Sequence, residues 1–132
     1  MPARRERILD ALQQLYALLG APLAWIVQIC TCEALAAQAC YPAQNPLAYP
    51  DLHALNAYIG AVSLLCLAVA LGGLTAAWRG WRGLPQGGGG TDPDRRAARF
   101  LFRVAILSSP MFVLGLLVTA MAALIVSPCK PW

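Results

Sequence analysis

Residues 53–77 read HALNAYIGAVSLLCLAVALGGLTAA, a run with no lysine, arginine, aspartate or glutamate. A hydrocarbon core about 30 Å thick is crossed by roughly 20 apolar residues in a helix, so this stretch is long enough to span a bilayer. It also lacks the period-two alternation of a barrel strand, which leaves a helix as the way to satisfy its backbone in lipid. Two further runs, at about Leu12 to Cys40 and Ala97 to Ser127, have the same character. The whole chain of 132 residues is 59% hydrophobic and 12% charged, against about 45–50% and about 25% in soluble domains. These numbers predict an all-α integral membrane protein: one domain over residues 1–132, with spans at about 12–40, 53–77 and 97–127.

Charge placement sets the expected orientation. Arg4, Arg5 and Arg7 precede the first span, Arg79 and Arg82 follow the second, and Arg95, Arg96, Arg99 and Arg103 open the third. The segment from Tyr41 to Leu52 has no lysine or arginine, and beyond the third span there is only Lys130. The positive-inside rule then predicts a cytoplasmic N-terminus and a periplasmic C-terminus in a bacterial inner membrane. The net charge of +4 marks a membrane face and its anionic lipid, not nucleic-acid binding. Ala37-Gln38-Ala39 before Cys40 has the look of a processing site. The apolar run ahead of it exceeds a signal h-region, holds Glu33, and has Ala37 where a lipobox prefers leucine, so the segment reads as a retained span.

Residues 83–94, GLPQGGGGTDPD, form the one low-complexity stretch. Its glycines lack the Lys and Ser/Thr of a phosphate loop, so a flexible cytoplasmic linker is expected. Asp92 is placed to cap the third helix, with Pro93 at its first position and Asp94 in the first turn. Small residues mark helix contacts in lipid. Gly20, Ala24, Gln28, Cys32, Ala36 and Cys40 recur every four residues on the first span, as do Ala68, Gly72 and Ala76 on the second and Gly115, Thr119 and Ala123 on the third. Pro22 and Pro110 each remove a helical hydrogen bond, with Ser108 and Ser109 beside the second to satisfy freed carbonyls.

The five cysteines separate by position. Cys30 and Cys32 point to nearly opposite sides of a helix, and Cys32 to Cys40 spans about 12 Å, too far for a disulfide. Cys66 reads as a small apolar residue in mid-span. Cys40 and Cys129 sit just past the outer ends of their spans, where oxidation persists, and are the expected disulfide. A competing metal site would draw on Cys32, Cys40, Cys129, Glu33, His53 and Met111 or Met121, with copper or zinc as the fitting ions. It lacks any closed ligand spacing, so no metal and no cofactor is expected. His53 is the only histidine, which excludes a bis-histidine haem within the chain. Glu33, about two turns inside the outer boundary, is costly in lipid and is expected to face a partner, a polar cavity or water, with His53 or a partner residue as donor; Glu33 and His53 are the buried polar candidates, with snorkelling to the surface as the alternative for Glu33. No catalytic triad, carboxylate pair or cofactor box is present, so a non-enzymatic role is expected.

Several stretches carry a family resemblance: LLGAPLAWIVQ at 18–28, LHALN at 52–56, AAWRGW at 76–81, RFLFRVAILSSPMFVLGLL at 99–117 and VSPC at 126–129. The chain resembles small, largely uncharacterised three-span bacterial membrane proteins that are often encoded beside haem-copper cytochrome c oxidase subunits. Where many of those relatives have a histidine soon after the Ala-Trp pair, this chain has Gln28, which weakens any shared metal or haem role for that position. The resemblance implies an accessory subunit packed on a respiratory oxidase or its supercomplex, with integral membrane subunits and lipid as partners. The alternatives are an assembly or copper-delivery factor using outward Cys and His residues, and an electron- or quinone-handling protein.

Overall fold

The structure is a computed structural model that describes residues 2–41, 52–83 and 93–126 together with Cys129. The glycine-rich linker, the Asp92 cap and nearly all of the expected first outer loop lie outside the described residues. Three helices make up the described chain: α1 (Pro2–Cys40), α2 (Leu52–Gly83) and α3 (Pro93–Ile125). All are long and apolar enough to cross a membrane, and the chain is a multi-pass membrane protein.

Each helix outruns the apolar segment that announces it. α1 starts at Pro2, about ten residues before the apolar run, because the intervening Arg, Glu, Leu and Ala residues are strong helix formers. α2 continues through the Trp-Arg-Gly-Trp-Arg sequence to Gly83, with Arg82 in its last turn, where a cation offsets the helix dipole. α3 opens on Pro93, whose missing N–H costs nothing at a first helical position.

The helices form an up-down-up bundle in which every pair is in contact. From the arginine-rich end to the cysteine-rich end the interior is layered. The first layer joins Ala17, Ala77, Phe102 and Ala105, with Trp81 and Ile106 against it. Phe102 lies over Gly80, and its ring occupies the space a side chain at that position would need. Next comes a close approach of α1 and α2. The Tyr16 hydroxyl donates to the Val69 carbonyl at 2.8 Å, and the Cα of Gly20 lies 3.4 Å from where a Cβ on Gly73 would stand. The third layer joins Ala21, Ala24, Cys66, Ala70 and Leu116, flanked by Trp25 and Phe112, whose ring centroids are 5.8 Å apart.

The α1 ridge faces inward along its length: Gly20, Ala24, Gln28 and Cys40 are buried and Cys32 and Ala36 partly so. On α2 the expected ridge needs correction. Ala68 is exposed and Gly72 and Ala76 are only half-buried, while Ser63, Cys66, Ala70, Gly73 and Ala77 are buried. Both sets consist of small residues and lie side by side on the helix, so spacing alone did not separate them. On α3, Gly115, Thr119 and Ala123 are half-buried beside the buried Phe102, Ala105, Ser109 and Leu116.

Pro22 and Pro110 lie inside unbroken helical assignments. The expected repair at Pro110 is not the one found. Ser108 Oγ contacts the Ala105 carbonyl at 3.5 Å, not the Ile106 carbonyl that a proline four residues later leaves free. Ser109 Oγ is buried without a hydrogen-bond partner.

Candidate functional site

Two features stand out against the apolar background: a polar junction inside the bundle, and a carboxylate on its outside. The junction centres on Gln28, which is 1% exposed. One turn from Ala24 on the inward ridge, its amide reaches both other helices. Nε2 donates to Ser63 Oγ of α2 at 3.0 Å and to the Leu116 carbonyl of α3 at 3.3 Å. Oε1 accepts from Thr119 Oγ1 at 3.1 Å. Both amide hydrogens are therefore used, along with a carbonyl lone pair.

Thr119 has a single hydroxyl hydrogen and more than one acceptor within reach, since the Gly115 and Leu116 carbonyls lie 2.9 and 3.1 Å away. Its bond to Gln28 thus competes with bonds to its own helix, a common compromise for threonine in a helix. Ser63 accepts from Gln28 and also meets the Cys32 side chain. The junction is a set of polar groups that bond one another, each from a different helix. Interhelical bonds of this kind contribute about 0.6 kcal/mol each on average in a bilayer. Their geometric effect is the greater one, because turning any helix by one residue, about 100°, takes its polar group out of the cluster.

Beside the junction, Trp25 Nε1 is buried without a hydrogen-bond partner among the described residues. The indole nitrogen lies 3.4 Å from the position a Cβ would take on Gly115. Glycine there lets α3 approach the ring edge.

Within the chain Glu33 and His53, the buried polar candidates, are both exposed, and no hydrogen bond joins them among the described residues, which leaves a partner residue or water to face Glu33. Helix geometry supplies the reason. Glu33 follows Gln28 by five residues, a rotation of about 140°, so with Gln28 inward Glu33 must face out. His53 precedes the buried Ile59 by six residues, about 120° off its face. Glu33 lies on an outward strip of α1 with Leu23, Ile26, Val27, Cys30 and Ala37, all exposed. It stands seven residues, about 10 Å, inside the end of α1.

Cys40 and Cys129 are joined by a disulfide with Cα atoms 5.2 Å apart, closing a loop with a sequence separation of 89. Cys30, Cys32 and Cys66 are free thiols, exposed, half-buried and buried in turn. Among the described residues no three His, Cys, Asp or Glu side chains converge as a metal site would require. The bridge takes Cys40 and Cys129 out of the ligand set that sequence offers for copper or zinc. Met111 and Met121 are both exposed on α3.

Nothing in the sequence singles out Ser63, while Gln28 and Thr119 stand out as ridge members and Gln28 also as the residue in place of a histidine. The usable signal is shared depth: Gln28, Ser63 and Thr119 are uncharged polar residues at levels that an up-down-up bundle brings together, though each apolar run holds others. The chain matches no family model, no curated protein and no solved structure.

Proposed function

We propose that this chain is an accessory, non-catalytic membrane subunit of a bacterial respiratory terminal oxidase of the haem-copper type, and that it stabilises the assembly it joins. The observation that carries the reading is the outward position of Glu33. At the centre of a span a charged side chain that faces lipid costs about 2.5 to 3.5 kcal/mol on insertion scales, an upper bound for Glu33 nearer the end of its helix. Within the described residues Glu33 has no hydrogen-bond or ion-pair partner, while the outward strip around it is apolar. A neighbouring subunit that offers a donor to Glu33 and an apolar face to Leu23, Val27 and Cys30 would remove that cost.

The interior adds support of a different kind. Gln28, Ser63 and Thr119 spend their hydrogen-bonding capacity on each other, which suits a structural element. The identity of the partner rests on the sequence resemblance, and the orientation on arginine placement: N-terminus cytoplasmic, C-terminus periplasmic, in the bacterial inner membrane. In this orientation the Cys40–Cys129 bridge faces the oxidising side. Because the bridge occupies both cysteines and Cys32 turns toward Ser63, the copper-delivery reading is left with His53 and Glu33 as exposed donors, on different helices.

The test is purification of the tagged full-length chain from native membranes in mild detergent, followed by subunit quantification and a visible spectrum. Haem-copper oxidase subunits in a fixed stoichiometric ratio, with haem absorption in the same fraction, are expected. A chain that is recovered without oxidase polypeptides, or only with immature, haem-free oxidase, would overturn the proposal.

A further inference from the structure

The arginine-rich end of the α2–α3 seam has a construction that a uniformly lipid-facing surface does not need. Two adjacent grooves open there. One, of about 270 Å³, is lined by Trp81, Arg103, Ile106 and Leu107. The other, of about 480 Å³, is lined by Leu74, Thr75, Trp78, Arg79, Ile106 and Pro110. Ile106 is common to both and separates them. Both grooves have apolar walls: Arg103 contributes its aliphatic stem to the first, and Arg79 borders the second.

The two arginines stand at one level. Phe102 seats on Gly80, which fixes the register of α3 against α2 and brings the neighbours of those residues, Arg103 on α3 and Arg79 on α2, to about the same height. One turn further along α2, the Arg82 guanidinium lies 4.9 Å from the centroid of the Trp78 ring. Trp78 and Trp81 are themselves in contact, with ring centroids 5.8 Å apart. Tryptophans at this position mark the headgroup boundary, where an indole is apolar on its face and polar at its edge. Deeper along the grooves come Leu74, Leu107 and Pro110, at acyl-chain depth.

We propose that this seam is a binding site for one anionic diacyl phospholipid. The phosphate sits between Arg79 and Arg103, and one acyl chain runs into each groove on either side of Ile106. Guanidinium groups favour phosphate because their planar N–H donors match its oxygens. Basic pockets between helices are a known means of retaining acidic lipids. A zwitterionic headgroup carries its own cation beside the phosphate, which two arginines repel, so the same pair favours net negative lipid over zwitterionic lipid. The site depends on neither the identity of a partner nor the direction of insertion.

The experiment is native mass spectrometry of the delipidated full chain in neutral detergent, titrated separately with phosphatidylglycerol, phosphatidylcholine and inorganic phosphate. One phosphatidylglycerol should bind about 30-fold more tightly than phosphatidylcholine, the difference that two arginines at a surface supply. Inorganic phosphate should neither bind comparably nor displace the lipid, since it gains nothing from the grooves. The double variant Arg79→Gln/Arg103→Gln should lose the preference, Arg79→Lys/Arg103→Lys should keep most of it, and Arg5→Gln should leave it unchanged. Equal binding of the two lipids, a preference that survives the glutamine pair, or phosphate binding as tightly as lipid would each overturn the site. Helicity and the Cys40–Cys129 bridge report folding of the variants. If the glutamine pair fails to fold, the wild-type preference and the phosphate arm still decide.

Discussion

Gln28 shows how one side chain can fix three helices. It is the only residue whose side-chain amide bonds two other helices among the described residues. Gln28→Leu keeps the volume roughly constant and removes the bonds, so a loss of about 1 to 2 kcal/mol is expected, within the range for interhelical bonds in bilayers. Ser63→Ala should cost less, because the amide retains Leu116 as an acceptor. Reversible unfolding in micelles measures both, and a Gln28→Leu variant as stable as the parent would remove the junction from the account. The sequence makes Gln28 visible as a member of a small-residue ridge, but its partners depend on the rotation of α2 and α3. The same rotation decides Glu33. Its cost in lipid calls for a partner, a cavity or water, and its place about 140° from Gln28 turns it away from the bundle interior, which only the identity of the inward face reveals.

At the scale of helices, glycines divide into those that allow approach and those that do not. A Cβ on Gly73 would meet the Tyr16 carbonyl at 3.3 Å and the Gly20 Cα at 3.4 Å, backbone atoms on the facing helix. A bulky side chain there has to push α1 and α2 apart. Gly73→Leu is therefore expected to destabilise by about 1 to 3 kcal/mol, the usual cost of overpacking. Gly60 has nothing within 4 Å of its would-be Cβ, so Gly60→Ala should be neutral, or stabilising by about 0.4 to 1 kcal/mol through the unfolded chain. Thermal unfolding of the two variants side by side checks the contrast; equal effects would contradict the close packing of α1 on α2. The existence and number of the helices were legible from hydropathy alone. Their facing surfaces were legible on α1, where one ridge of small residues dominates. On α2 they were not, because Ala68, Gly72 and Ala76 compete with Ala70, Gly73 and Ala77 and only packing chooses between them.

For the whole molecule, the bridge and the outward Glu33 strip act at different places. The Cys40–Cys129 disulfide ties the end of α1 to the segment that follows α3. For a loop of this size the chain-entropy treatment gives about 4 to 5 kcal/mol in water, and less in a bilayer where the unfolded reference keeps its spans. Cys129→Ser should lower the unfolding temperature while leaving helicity intact, and thiol alkylation of the unreduced parent should label Cys30, Cys32 and Cys66 but not Cys40 or Cys129. That pairing could be anticipated because both cysteines lie at the same end of an up-down-up chain. Association with a partner lies at a longer range than any contact within one chain, and only the exposed carboxylate and the family resemblance bear on it. The central claim is that the Glu33 strip of α1 lies against another membrane subunit, and site-specific photocrosslinking in native membranes tests it most directly. Benzoylphenylalanine placed at Cys30 or Ala37 should give a discrete crosslink to a haem-copper oxidase subunit that is weakened by Glu33→Leu, while the same probe at Leu64 should not. Crosslinks to lipid alone from Cys30 and Ala37, or equal protein crosslinks from Leu64, would contradict it.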